Sequence, residues 1–316
     1  MEFRCIFASQ FLNLYPLTEN SSIKQPEPLT KAFFKDYLML SKLRLSASVV
    51  GTTMIAYVLG VDKLGLTFSW TTLIALTVGG MFVVASSNGF NQIIEKETDK
   101  LMSRTQNRPI ADGRMLVNDA LVFSIVIGIL GLLILAFFVN GRVAFLSLVS
   151  LFLYVLAYTP LKKNTPFAVF VGALPGAFPP AIGWIGASGN IDTIAILLFV
   201  IQFFWQFPHF WAIAWILEDD YRKAGYTLLP SYEGRTKKNA FQTILYSLML
   251  IFMSMYPLTM DPPFASLYSL FVILPCGLFM LFRAYKLYQS LSVADGKKLM
   301  FASLIYMPAV LLSYLL

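Results

Sequence analysis

The chain has 316 residues, 57% apolar and only 13% charged, with a mean hydropathy of +0.68. Those proportions exclude a soluble globular domain and leave an all-α polytopic membrane protein. The net charge of +7 sits on no soluble basic domain, so no nucleic-acid partner is expected.

Residues 1–34 are mixed and polar, with Pro26 and Pro28, and lack an apolar run followed by a small-residue cleavage site. They read as a cytoplasmic N-terminal arm, outside a single transmembrane domain over 35–316. Apolar segments long enough for ~20-residue spans follow at 43–61, 70–90, 118–139, 143–159, 167–187, 192–217, 241–260, 264–282 and 299–316, about nine in all. Pro160 and Pro166 bracket a polar turn after the fourth, and Pro175, Pro179 and Pro180 interrupt the fifth. Such breaks survive in lipid only where protein or a cavity satisfies the freed backbone groups. Of the 24 Lys and Arg residues, all but Lys63 and Arg142 lie in the N-terminal stretch up to the first turn of span one or in the loops after spans two, four, six and eight. By the positive-inside rule the N-terminus is cytoplasmic and, with nine spans, the C-terminus external. Cys5 and Cys276 lie far apart in this topology, which supports neither a disulfide nor a thiolate metal site.

Three polar stretches interrupt the apolar pattern. The second span runs into Asn91-x-x-x-Glu95-x-x-x-Asp99, which places three oxygen-bearing side chains at i, i+4 and i+8 on one helical face. Two carboxylates held together at a membrane surface call for a cation between them, and oxygen ligands suit a hard ion. Arg104, Arg108 and Arg114 follow, and guanidinium groups suit phosphate. The turn carrying Lys162 and Lys163 adds two ammonium groups, although paired lysines after a span also serve orientation, as do Lys42 and Arg44. The sixth span ends in Glu218-Asp219-Asp220-Tyr221-Arg222-Lys223, on the same side as Asp99. Acidic loops beside apolar helices match a charged headgroup at the interface with a hydrophobic tail below it, the shape of a prenyl diphosphate. A solvated helix end is the alternative for this last cluster taken alone.

Asn91-x-x-x-Glu95-x-x-x-Asp99 with Arg104-Thr105 and Arg108-Pro109 resembles the first signature of UbiA-type intramembrane prenyltransferases. The stretches Gly172–Trp184 and Trp205–Trp211, followed by Asp220-Tyr221 and Ala224-Gly225, are similar to the heme-farnesylating branch of that family. The likeness covers nearly all the chain from about residue 40. It implies a helical bundle around a central cavity open to the cytoplasmic side, in the cytoplasmic membrane. The reaction implied is transfer of the farnesyl group of farnesyl diphosphate to a vinyl carbon of heme B, with Mg²⁺. Water adds to the neighbouring carbon, and the heme O formed is a precursor for respiratory oxidases. Partners in heme processing or oxidase assembly would fit that role.

The resemblance assigns Asn91, Glu95, Asp99 and Asp220 as catalytic residues and metal ligands. Arg104 and Arg108 become the diphosphate clamps, supported by Lys162, Lys163 and Arg222. His209, the one histidine of the chain, is expected to ligate or position heme, in a pocket with Trp205, Trp211 and Tyr221. It stands ~16 Å above Asp220 along the same helix at ~1.5 Å per residue. Two departures matter. Glu95 stands where the superfamily more often has Asp, and the second Asp-x-x-x-Asp signature is incomplete, with Ile216 and Ala224 flanking Asp220. The alternatives are a UbiA-type enzyme with another aromatic acceptor, and a non-enzymatic heme or ion carrier, which would place acidic groups within its spans.

Overall fold

The computed structural model describes residues 34–316, so the expected arm lies outside the described residues except for Phe34. Among the described residues every regular element is helical. The chain runs through α1 Phe34–Ser41, α2 Leu43–Lys63, α3 Trp70–Ile94 and α4 Val117–Phe138. It continues through α5 Gly141–Leu161, α6 Ala168–Ser188 and α7 Thr193–Lys223. It ends with α8 Lys237–Met255, α9 Leu270–Ser290 and α10 Val293–Ser313.

Eight of these, α2 to α9, are long and apolar enough to cross a membrane. The ninth long helix, α10, matches α2 in length but opens on Asp295, Lys297 and Lys298, which shortens its apolar stretch. Several expected boundaries moved, among them those of α8, expected at 241–260, and α9, expected at 264–282. Helix α7 continues to Lys223 rather than stopping at 217, because the charged residues 218–223 stay in the same helical register. Helix α10 starts at Val293, six residues before the expected 299, where the Ser292 hydroxyl accepts the Asp295 N–H at 3.1 Å.

Lipid offers no hydrophobic drive between helices, so close approach depends on small residues. A Cβ on Gly131 would lie 2.8 Å from the Gly79 carbonyl, and Ser86 Oγ donates to Ser124 O at 2.7 Å, which together lock α3 against α4. Gly183 lets α6 meet α2, where a Cβ would overlap the Thr53 carbonyl oxygen. Helix α6 stays continuous through Pro175, Pro179 and Pro180. Pro179 cannot donate to the Pro175 carbonyl, and Ser150 Oγ from α5 donates to that oxygen instead, at 3.0 Å. Large apolar side chains such as Phe137 and Phe271 face outward from the bundle.

The loops after α3, α5, α7 and α9 meet at one end. Ser103 is bonded to Asp220, Tyr232 OH donates to Asn164 O at 3.0 Å, and Trp215 Nε1 donates to Leu291 O at 3.3 Å. Lys63 and Arg142 belong to the other end, where Arg142 Nη1 donates to Gly189 O at 2.6 Å and Asn140 Nδ2 to Ile185 O at 3.1 Å.

Candidate active site

Helix α3 ends at Ile94, and Glu95 leaves the helical region with φ −96° and ψ 6° before a short helical turn, Lys96–Asp99. The expected single helical face survives this break, because Glu95 N donates to Asn91 O at 3.0 Å and Asp99 N to Glu95 O at 2.8 Å. Asn91, Glu95 and Asp99 are all buried, with 2%, 2% and 0% exposure. They open onto one cavity of about 120 Å³, which Lys42, Arg104, Arg108, Lys162, Tyr154, Tyr158, Tyr221 and Tyr226 also line. Four cationic side chains therefore face two carboxylates, and the excess positive charge suits an anion of two or more charges.

Each carboxylate has a cation against it. Arg108 Nη1 donates to Asp99 Oδ2 at 2.6 Å and Oδ1 at 2.8 Å, and Lys162 forms an ion pair with Glu95. Burial pushes the Asp99 carboxyl above its ordinary value, while the adjacent guanidinium pulls the other way. Burial acts to lower Lys162, but the Glu95 carboxylate, together with Tyr226 and Tyr154, outweighs it and keeps the ammonium group above its usual range. The same ammonium lies 5.0 Å from the centre of the Tyr226 ring and 5.5 Å from that of Tyr158.

The local backbone explains how these groups converge. Between Leu153 and Tyr158 helix α5 widens into a π-helix, a form concentrated at functional sites, just before Pro160, which has no N–H to give. Thr159 Oγ1 donates to Tyr154 O at 2.8 Å and accepts from Asn91 Nδ2 at 3.2 Å, tying this turn to α3. On the other side, Lys42 adopts left-handed dihedrals, φ 47° and ψ 54°, between α1 and α2. A bulky residue holds that conformation only where its surroundings enforce it. Here Gln92 Nε2 donates to Leu40 O at 2.8 Å and Asn88 Nδ2 to Ser41 O at 3.4 Å, so α3 itself grips the end of α1. Burial and the nearby Arg108 lower Lys42 to a pKa of about 7. Sequence pattern alone points to an orienting role for Lys42 and carries no signal for Tyr154 or Tyr226. Their convergence depends on a left-handed turn, a π-turn and a loop that no local pattern announces.

Several expected residues stand elsewhere. Asp220 lies outside the cavity lining and accepts hydrogen bonds from Ser103 and Arg104. Arg222 pairs with Glu218 at 2.7 Å, and Arg114 with Asp36 at 3.2 Å. Lys163 is half-buried and outside the lining. His209, Trp205 and Trp211 lie deeper along α7. His209 stacks on Trp205 at 4.5 Å and 15°, and its Nδ1 is 2.9 Å from Ser303 Oγ. The Ser303 hydroxyl hydrogen goes to Met300 O at 2.7 Å, so Nδ1–H is the donor to Ser303, and among the described residues Nε2 has no hydrogen-bond partner. Trp211 packs against Phe207 at 5.3 Å and Tyr246 at 5.0 Å.

The profile of the UbiA prenyltransferase family matches residues 49–305. The chain belongs to the UbiA prenyltransferase family. A protoheme IX farnesyltransferase of Cytophaga hutchinsonii is 41% identical over 283 residues, covering 90% of this chain and 97% of the relative. One of Flavobacterium johnsoniae is 42% identical over 278 residues, covering 87% and 92%. Among solved structures, a UbiA homolog from Archaeoglobus fulgidus bound to DMAPP and Mg²⁺ aligns with a TM-score of 0.64, over 87% of this chain and 99% of that one. A digeranylgeranylglyceryl phosphate synthase aligns with a TM-score of 0.71, over 89% and 96%. Both structures are 19% identical to this chain, so they establish the family fold and nothing finer.

The donor set at the end of α3 suits a hard cation. Glu95, Asp99 and Asn91 offer only oxygens, buried and on successive turns. Among the described residues no three His, Cys, Asp or Glu side chains form a ready-made metal cage. An ion held here would need further ligands from water or phosphate, as is usual for Mg²⁺ with one or two carboxylates.

Proposed function

We propose that this prenyltransferase moves the farnesyl group of farnesyl diphosphate onto a vinyl carbon of heme B, with addition of water, giving heme O and diphosphate. The observation that carries the reaction class is one cavity in which two buried carboxylates and an amide face Lys42, Arg104, Arg108 and Lys162 at the end of an apolar bundle. The acceptor follows from the relatives' shared name at 41–42% identity.

In this reading Glu95 and Asp99, with Asn91, hold Mg²⁺, and the ion supplies positive charge to the departing diphosphate. Lys42, Arg104, Arg108 and Lys162 bind the diphosphate oxygens and gain interaction energy as negative charge builds there, which lowers the barrier. The allylic C–O bond breaks with its electron pair leaving on oxygen. The vinyl π pair closes the new C–C bond, and water adds to the neighbouring carbon with loss of a proton. The Tyr154 and Tyr158 rings line the cavity and offer faces to the allylic cation. His209, with Nε2 unpartnered among the described residues, and the Trp205 ring stacked on it present a heme contact deeper in the bundle. The excess of basic residues at the cavity end supports a cavity and an N-terminus that face the cytoplasmic side of the inner membrane. Heme O supply to respiratory oxidases completes the reading.

The buried acidic side chains Asp36, Glu95, Asp99 and Glu218 gather at that same end, which disfavours an ion-coupled carrier. The test is incubation of the purified protein with heme B, farnesyl diphosphate and Mg²⁺, followed by mass analysis of the heme. A farnesylated, hydrated heme together with released diphosphate is expected. Diphosphate release with unmodified heme would redirect the search to other aromatic acceptors, and neither product would refute the assignment.

A further inference from the structure

Family resemblance places Asp220 among the metal ligands, yet its carboxylate has other partners. Oδ1 accepts from Ser103 N at 3.0 Å and Ser103 Oγ at 2.9 Å, with Lys223 Nζ at 3.2 Å, and Oδ2 accepts from Arg104 N at 3.2 Å. Three donors converge on Oδ1 and one reaches Oδ2, so both oxygens are engaged by the Ser103–Arg104 segment and Lys223. Asp220 opens onto a separate groove of about 420 Å³ shared with Ser103, Asp219 and Lys223, and Arg104 alone lines both this groove and the cavity. The segment carrying Arg104 is fastened on either side of Asp99. Thr105 Oγ1 donates to Asp99 O at 2.9 Å, and Thr98 Oγ1 lies 2.6 Å from Tyr226 OH, in the loop that follows α7.

We infer that Asp220 is a positioning residue. It clamps the Ser103–Arg104 backbone to the end of α7, so that the Arg104 side chain stands ready for diphosphate, and it is not a metal ligand. The inference rests on the reading above that the cavity takes diphosphate. An arginine on a loose loop must be ordered when the ligand arrives, and that cost weakens binding; a loop pinned by charge-assisted bonds has met it in advance.

The test compares Asp220→Ala, Ser103→Ala, Arg104→Ala and the Asp220→Ala/Arg104→Ala double variant in the full chain. Inorganic diphosphate binding is measured with Mn²⁺ present, bound Mn²⁺ is counted by paramagnetic resonance, and KM for farnesyl diphosphate is separated from kcat. Asp220→Ala is expected to weaken diphosphate binding and raise KM by about tenfold to a hundredfold, the range for losing charge-assisted hydrogen bonds. Mn²⁺ stoichiometry and affinity should stay unchanged. Ser103→Ala should move in the same direction by less, and the double variant should bind no more weakly than Arg104→Ala alone. Loss of a bound Mn²⁺ in Asp220→Ala, full additivity in the double variant, or an unaffected Ser103→Ala would each overturn the inference. If Asp220→Ala does not fold, Ser103→Ala and its double variant with Arg104→Ala decide by the same criteria. Absence of diphosphate binding by the unmodified protein would overturn the proposed function along with this inference, whereas normal binding with an ion lost in Asp220→Ala overturns this inference alone.

Discussion

The ion pair between Lys162 and Glu95 allows a test in which stability and metal affinity move in opposite directions. Glu95 is 2% exposed, and among the described residues its carboxylate has Lys162 as partner, with no hydrogen bond from a neutral group. Lys162→Met keeps the stem and removes the charge, leaving a buried carboxylate uncompensated. Breaking one side of such a pair costs ~3–5 kcal/mol in a dry interior. The lower end, ~3 kcal/mol, applies because the pair lines a polar cavity. A divalent ion entering the site must compete with the Lys162 ammonium for Glu95, so the variant should bind Mn²⁺ or Mg²⁺ about tenfold or more tighter, if roughly half of that energy returns on metal binding. Diphosphate affinity should fall, since one of its four cations is gone. Thermal unfolding in detergent, with and without Mg²⁺, reads the first effect and Mn²⁺ titration the second. The loss of stability should shrink when Mg²⁺ is present. An equal loss with and without Mg²⁺, or weaker metal binding by the variant, would refute the competition.

Asp99→Ala and Glu95→Ala should each abolish Mg²⁺-dependent diphosphate release from folded protein, while Lys63→Ala, at the opposite end, leaves it unchanged; equal activity in all three, measured as released diphosphate, would remove the site assignment. Lys42, lowered to about 7, is charged below that pH and largely neutral above it, and an arriving diphosphate raises it again. Diphosphate binding at pH 8 should therefore take up close to one proton and weaken as pH rises beyond 7. Titration calorimetry in buffers of different ionisation enthalpy reads this uptake, which Lys42→Met should eliminate. Gly183→Ala should destabilise by about 1–3 kcal/mol, the usual range for overpacking, by forcing α6 away from the Thr53 carbonyl of α2. Its thermal midpoint in detergent should drop, and an unchanged midpoint would mean the two helices separate at no cost.

The spans were legible because a lipid-crossing helix must be apolar for ~20 residues whatever it packs against. Their ends were less so, since residues such as Glu218 to Lys223 are polar yet continue α7 into the interface. Asn91, Glu95 and Asp99 could be read as one face from spacing alone, and backbone bonds at i to i+4 preserve that face even though the helix breaks at Glu95. Lys42 and Tyr226 could not, because what brings them in is tertiary: Gln92 and Asn88 gripping the end of α1, and Thr98 meeting Tyr226 from 128 residues away. Asp220 was legible as part of a polar cluster, but its partners Ser103 and Arg104 lie 117 and 116 residues away in sequence.

The π-helical stretch at Leu153–Tyr158 gives one side of the cavity a dependence on residue count that residue identity does not capture. An ordinary α-helix turns by ~100° per residue, and the six wider-winding residues absorb about one residue's worth of that rotation, so a further residue added to α5 ahead of Tyr158 would swing everything after it around the axis. The span would remain long enough to cross the bilayer, its termini would keep their sides, and its composition would hardly change. Tyr158, Thr159 and Lys162 would nevertheless face elsewhere, parting Asn91 from its hydroxyl partner and Glu95 from its ammonium. Insertion and topology alone would leave such a change invisible, while the chemistry at the end of α3 would register it at once.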